Sequence, residues 1–433
     1  MTSFKAYSCH SLNGSIKVPG DKSISHRSIM LGSIANGVTN VSGFLEGEDS
    51  LATLKAFQQM GVQIERTGSN IAIRGVGKHG LKSPLEPLDL GNSGTSIRLM
   101  LGLLSAQSFN SQLCGDESLS KRPMARVIEP LSMMGALIDS YESKPPLSIT
   151  GNQKLSAINY TLPVASAQIK SCLLLAGLYA EGETCIVENS TTRDHTERML
   201  RGFGYPVNTS NGQISLMGGG ELHACDIEVP SDISSAAFFI VAASIAKEAD
   251  ITLNAVNINP TRTGILDILD LMGANITLNN EKVAAGELVA DIRVCSAELR
   301  GIDIPQELVP LAIDEFPVIF IAASCATGET LLTGAKELRV KESDRIQVMA
   351  DGLTILGIKN EVLEDGIRIQ GGEFSKQNSV IKSHYDHRIS MSFAIASSRS
   401  EYDIKIEGVD NVQTSFPNFV ELANRIGMNI EEI

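Results

Sequence analysis

Six glycines, Gly61, Gly135, Gly204, Gly273, Gly357 and Gly427, punctuate this chain at intervals of mostly about 70 residues, each in the same kind of text. Upstream of each come a polar helix start, a small apolar helix and a second polar loop. Downstream comes strand-like text such as VQIERTGSNIAIRG at 62–75. A period this long marks one supersecondary unit copied six times. The consequence is chemical as well as architectural. Every copy supplies a helix start, whose unpaired N–H groups and positive dipole end attract negative charge. Several such starts aimed at one cleft would suit a small, highly anionic ligand.

The first helices of the six copies are expected to begin within 18–27, 89–98, 162–170, 229–237, 310–318 and 383–390, and all run into text rich in Ala, Ser, Gly and Leu. The second polar loop carries one residue 11 to 13 positions before the hinge glycine: Asp49, Arg122, Arg193, Arg262, Arg345 and Ser415. A single loop arginine is ordinary surface charge, but four at equivalent positions point to an anion.

Chain closure follows from what is missing. The last glycine is followed only by MNIEEI, enough for one strand, while residues 5–18 supply strand text ahead of the first helix. At 433 residues the chain exceeds one ordinary core. Two domains of three repeats each are therefore expected: 1–20 with 228–433, and 21–227. The chain would cross near 19–21 and again near 226–230. Two short links make a hinge, and a hinge implies closure over a substrate.

Composition narrows the function. A net charge of −14 argues against nucleic acid or an anionic membrane as partner, yet leaves room for a small anion held by local basic clusters. Cys9, Cys114, Cys172, Cys185, Cys225, Cys295 and Cys325 are scattered and contain no CxxC, which fits buried thiols in a reducing compartment. The opening MTSFKAYSCHSLNG lacks the apolar core of a signal peptide, and the most apolar run, 238–246, is too short to cross a bilayer. A soluble, cytoplasmic protein is expected.

The sharpest local signal is GDKSISHR at 20–27. Lys22 and Arg27 fall in the first turns of a helix, where cations oppose the dipole and are unfavourable unless an anion binds there. GNSGT at 91–95 resembles a phosphate loop without the GxxxxGK[ST] spacing of a nucleotide-binding P-loop. Ser118 and Lys121 open an acyl-serine hydrolase motif whose other parts are absent. His384 and His387 lack a third ligand cluster, so core or cap roles are expected rather than metal. LRVKESDR at 338–345 packs Lys341, Glu342, Asp344 and Arg345 together, with Glu342 and Arg345 on one face if the segment is helical. A carboxylate among cations and an incoming anion can exchange protons near neutral pH. Asp314, at the mouth of an apolar helix, reads as both N-cap and base.

GDKSISHR, LGNSGTSIR, KRP, SAQIKS, TRDHTE, RVKESDR and DHRI, in this order over about 15–417, closely resemble the EPSP synthase (3-phosphoshikimate 1-carboxyvinyltransferase) family, in wording nearer its second sequence class. The resemblance implies an α/β fold of two lobes, each of three βαβαββ units, of the inverse α/β barrel type. It implies transfer of the enolpyruvyl group of phosphoenolpyruvate to the 5-hydroxyl of shikimate 3-phosphate, with release of phosphate and no metal or organic cofactor.

Residue by residue, the resemblance places phosphoenolpyruvate among Lys22, Gly94, Arg122, Gln168, Arg345 and Arg388. Shikimate 3-phosphate falls to Ser23, Arg27, Ser166, Ala167, Gln168, Arg193, Asp314 and Lys341. Asp314 takes the hydroxyl proton, and Glu342 with Lys22 delivers a proton to C3. The lobe 21–227 is then expected to carry most of the shikimate 3-phosphate site, and the other lobe the acid–base residues and part of the phosphoenolpyruvate site. Ala167 replaces a serine of the first class, so Arg193 is expected to compensate, and TSFP at 414–417 lacks the lysine found just before this motif in that class. Gly94 implies sensitivity to glyphosate, which occupies the phosphoenolpyruvate site in the family. A monomer is implied.

Two alternatives remain at this point. The sister enzyme acting on UDP-N-acetylglucosamine usually has a cysteine where this chain has Glu117, and Lys-Asn where it has Lys22-Ser23. A non-catalytic anion-binding scaffold should have lost one of Lys22, Arg122, Asp314 or Glu342, and all are present.

Overall fold

In the computed structural model, which describes residues 2–9, 11–284, 286–377 and 379–433, helix starts are fixed by capping side chains. The helices come in pairs: α1 (Lys22–Ile34) and α2 (Glu48–Gln59), α3 (Gly94–Leu104) and α4 (Ala125–Met133), α5 (Ala167–Gly177) and α6 (His195–Gly202), α7 (Ile233–Ile245) and α8 (Gly264–Leu271), α9 (Phe316–Cys325) and α10 (Arg345–Leu356), α11 (His387–Ile395) and α12 (Phe419–Arg425). Five of the six first helices are capped by a side chain accepting a backbone N–H: Asp21, Ser93, Ser166, Asp232 and Asp386. The exception is α9. Its N-cap is Glu315, without a side-chain capping bond, and Pro317 in the first turn needs no N–H acceptor. Asp314, read from sequence as that cap, lies one residue further out and is spent on ion pairs instead.

Each second helix runs into its hinge glycine, and all six of these adopt φ between +78° and +103°. That left-handed geometry turns the chain out of the helix and suits a residue without a Cβ. The strands form six sheets among the described residues, five of four strands and one of three. Each four-stranded sheet joins a parallel edge pair to antiparallel partners, as where Ile227–Glu228 runs parallel to Asn36–Ser42. The N-terminal strand Ser3–Tyr7 is antiparallel to both Ile404–Glu407 and Asn429–Glu432, so the chain start completes the sheet of the last repeat.

The chain divides into two compact units, Met1–Pro19 with Pro230–Ile433, and Gly20–Val229. The first holds α7 to α12 and the second α1 to α6. Each has its own apolar core. The first helices are its axis: every residue of α7 is buried, and α3 and α9 are nearly so. Small residues permit that packing. A Cβ on Gly102 of α3 would fall 2.1 Å from the Cys172 carbonyl oxygen of α5, so the two backbones approach to a distance only glycine allows. Among the described residues no helix is long and apolar enough to cross a membrane.

Candidate active site

In the unit 20–229, Lys22 is the first residue of α1, and its Nζ lies 2.5 Å from Asp49 Oδ2 in the first turn of α2. Asp49 is buried, so the pair relieves a cation at an unfavourable helix end. Arg27, also buried, donates to the Ser23 carbonyl at 3.0 Å, Thr196 Oγ1 at 2.7 Å and Ser171 Oγ at 2.8 Å. It therefore ties α1 to α5 and α6 and holds Ser23 in place.

Beneath them His26 is fully enclosed. Burial, and then the neighbouring cations Lys22 and Arg27, push its pKa well below the usual value, so the ring stays neutral. Its Nδ1 lies 2.9 Å from Thr53 Oγ1 and 3.1 Å from Ser96 Oγ, and Ser96 Oγ is 2.8 Å from the cap hydroxyl of Ser93. α1, α2 and the start of α3 are thus tied by one polar chain.

At the start of α3, Arg122 donates to Asn92 Oδ1 at 2.5 Å and Ser118 Oγ at 3.2 Å. Arg98 donates to Gln168 Oε1 at 2.7 Å, and Gln168 Nε2 to Thr95 Oγ1 at 3.2 Å. A Cβ added at Gly94 would lie 3.0 Å from Arg98 Nη1 and 3.1 Å from Arg122 Nη1. Gly94, Arg122 and Gln168, named from sequence, are therefore brought together, and Arg98, which was not named, belongs with them. Its signal was an arginine inside the otherwise apolar TSIRLMLGLL. Ser166 caps α5, Ala167 is its first residue, and half-buried Arg193 lies in the loop before α6.

In the other unit, Arg345 opens α10 and is 1% exposed. Its Nη2 meets Glu342 Oε2 at 2.5 Å, its Nε meets Asp386 Oδ2 at 2.9 Å, and its Nη1 is 3.6 Å from Asp314 Oδ1. Burial opposes the charge, but Asp386, Glu342 and Asp314 outweigh it and hold the guanidinium more firmly cationic than usual. Asp314 also faces Lys341 Nζ at 3.5 Å and Arg388 Nη2 at 3.9 Å, and Arg388 donates to its backbone carbonyl at 3.0 Å. Asp314, Lys341, Glu342, Arg345 and Arg388 thus form one cluster of two carboxylates and three cations, with Asp386 beneath them.

Two expectations need correction. Glu342 does not share a helical face with Arg345: it lies in the bend between the 3-10 turn Lys336–Val340 and α10, and the ion pair forms across the helix start. Arg262, grouped by repeat position with the arginines expected to face an anion, is buried and donates to Asp232 Oδ1 at 3.1 Å and Ser234 Oγ at 2.7 Å, tying its loop to the cap of α7. His384 is exposed and His387 is the buried first residue of α11. Among the described residues no group of three or more His, Cys, Asp or Glu could hold a metal ion.

The unit 20–229 gathers cations beside helix starts, and the other unit sets carboxylates among cations. The fold carrying them is that of the enolpyruvyl transferases: the solved structure of the enolpyruvyl transferase NikO from Streptomyces tendae matches over 100% of this chain and 98% of its own at a TM-score of 0.78, and at 15% identity that likeness concerns the fold alone. The model of the family EPSP synthase (3-phosphoshikimate 1-carboxyvinyltransferase) matches residues 7–422, and the chain belongs to that family. It is 71% identical over 430 residues to the 3-phosphoshikimate 1-carboxyvinyltransferase of Ruthia magnifica subsp. Calyptogena magnifica, covering 99% of each chain. A solved EPSP synthase from Acinetobacter baumannii matches with 57% identity and a TM-score of 0.90 over 100% of both chains.

Proposed function

We propose that the protein transfers the enolpyruvyl group of phosphoenolpyruvate to the 5-hydroxyl of shikimate 3-phosphate, with release of phosphate. Full-length membership of the EPSP synthase family supports the reaction class. The observation that carries the assignment of roles is the carboxylate of Asp314, within 4 Å of Lys341, Arg345 and Arg388 and beside Glu342's partner Arg345.

In this reading Asp314 accepts the proton of the 5-hydroxyl as that oxygen bonds to C2 of phosphoenolpyruvate. Glu342, with Lys22, gives a proton to C3, so the former methylene becomes a methyl group and C2 a tetrahedral ketal phosphate. Removal of a methyl proton re-forms the C2–C3 double bond, and the C2–O bond electrons leave with phosphate. The cations balance the clustered phosphates and carboxylates without reorganising. Phosphoenolpyruvate draws on Lys22, Gly94, Arg122, Gln168, Arg345 and Arg388. Shikimate 3-phosphate draws on Ser23, Arg27, Ser166, Ala167, Gln168, Arg193, Asp314 and Lys341. Seven free cysteines fit a reducing cytoplasm as its location, and a monomer as its working form follows the family resemblance.

Phosphate release from purified protein tests the reading. Release with phosphoenolpyruvate and shikimate 3-phosphate, and none with phosphoenolpyruvate and UDP-N-acetylglucosamine, is the expected result. Release only with the nucleotide sugar overturns the acceptor, and silence with both overturns the activity.

A further inference from the structure

One charged cluster in the unit 20–229 lies outside the residues given roles above. Lys170 of α5 is 0% exposed. Its Nζ reaches Glu197 Oε1 at 2.8 Å, Glu188 Oε2 at 3.0 Å and the Thr192 carbonyl at 3.3 Å. Thr192 Oγ1 donates in turn to Glu188 Oε2 at 2.7 Å. Glu188 directly follows the strand Glu183–Val187, and Glu197 lies in the first turn of α6. One ammonium therefore grips the intervening loop at its start, near its middle and at its end. Arg193 is the residue next to the gripped Thr192 carbonyl.

The placement of Lys170 along α5 adds to this. Ser166 caps the helix, Gln168 lies in its first turn, and Ser171, next to Lys170, takes the Arg27 guanidinium. Ser171 also accepts from Thr196 Oγ1 at 2.7 Å, beside Glu197 on α6. Two consecutive residues of α5 thus fix α6 and the loop before it. Burying a cation with carboxylates costs desolvation that hydrophobic residues of equal volume would avoid, so such a cluster is weak evidence for stability. Its geometric effect is specific: the backbone that carries Arg193 is held at three points.

We infer that Lys170 is a positioning residue for the phosphomonoester of the acceptor, acting through the loop 188–197 to set Arg193. The inference rests on the proposed acceptor being shikimate 3-phosphate with Arg193 among its partners. It assigns Lys170 no contact with substrate and no proton step.

The test is a double-mutant cycle read by steady-state kinetics on the full chain: wild type, Lys170→Met, Arg193→Met and the double variant. Lys170→Met is expected to raise KM for shikimate 3-phosphate about tenfold, the scale of a small misplacement of a binding group, with KM for phosphoenolpyruvate unchanged. In the Arg193→Met background the same substitution adds nothing, because its route is already removed. An unchanged KM for shikimate 3-phosphate, equal increments in both backgrounds, or a parallel rise for both substrates overturns the inference. If Lys170→Met does not fold, as checked by circular dichroism, Glu188→Gln is read by the same criteria, since it weakens the grip while keeping a polar side chain of the same size. Calorimetric titration with inorganic phosphate separates the two layers. Wild-type protein without turnover refutes the proposed reaction, while phosphate binding that weakens in Lys170→Met but not in the Arg193→Met background still supports the positioning role; equal phosphate binding refutes it.

Discussion

Arg345, the first residue of α10, reaches Asp386, the cap of α11, with Nε to Oδ2 at 2.9 Å, and both side chains are buried. One carboxylate therefore does two jobs: it accepts the Arg388 backbone N–H at 3.0 Å and orients the guanidinium that faces Glu342 and Asp314. Asp386→Ala should lose a helix cap and leave a buried guanidinium underpaired, and removing one partner of a buried pair costs about 3–5 kcal/mol. Thermal unfolding measures that loss. Asp386→Asn, which keeps a cap acceptor, should retain more stability than the alanine variant and still lower kcat. Equal stability for the two would sink the account of a shared cap and clamp.

Asp314→Asn would remove the proposed base and leave the shape. Loss of a positioned general base lowers turnover by about 10²–10⁴-fold. The variant should fold normally and release phosphate that slowly from phosphoenolpyruvate and shikimate 3-phosphate. Turnover within a few-fold of wild type would move the proton-accepting role elsewhere.

The sequence made the frame visible and left the clamps hidden, for reasons of distance along the chain. All six first helices begin inside the windows read from polar text, and all six hinge glycines are left-handed, because caps and C-terminal turns are local chemistry. Arg98 was missed since its partner Gln168 is 70 residues away, and one arginine in an apolar helix shows no partner in sequence. Asp386 was visible as part of DHRI but not as the support of Arg345, 41 residues earlier. Arg262 went wrong in the opposite sense: its repeat position matched Arg345, yet Asp232 and Ser234 take it into the core. Repeats constrain where a side chain starts, while the neighbours decide what it faces.

His26 gives stability a pH dependence of definite sign. Its folded-state pKa lies well below 6.5, the ordinary imidazole value that it recovers on unfolding. Below about pH 6.5 the unfolded chain binds a proton that the folded chain does not, so stability falls as pH drops through that window and rises again toward neutrality. His26→Gln should remove this contribution while keeping a polar partner for Thr53 and Ser96. Chemical denaturation between about pH 5 and 7.5, around the imidazole's ordinary titration, measures the difference. A wild-type-minus-variant stability that does not change with pH would show that His26 titrates alike in both states.

Gly94 is where a single methyl group should separate substrate from inhibitor. Its Cβ would lie 3.0 Å from Arg98 Nη1 and 3.1 Å from Arg122 Nη1, closer than most real Cβ contacts, so both guanidinium groups must shift by a few tenths of an ångström. Arg122 is also held by Asn92 and Ser118, which limits how far it can yield. Gly94→Ala should therefore raise KM for phosphoenolpyruvate, and raise KM for shikimate 3-phosphate less, through Gln168 held by Arg98. Glyphosate, which the family resemblance puts in the phosphoenolpyruvate site and which is the longer molecule, should lose more affinity than the substrate does. Wild-type turnover at limiting phosphoenolpyruvate should then be inhibited by glyphosate, and the variant should need a concentration higher by more than its own rise in KM. Equal proportional losses for substrate and inhibitor would mean the methyl group perturbs the arginines as a whole without narrowing the space beside Gly94.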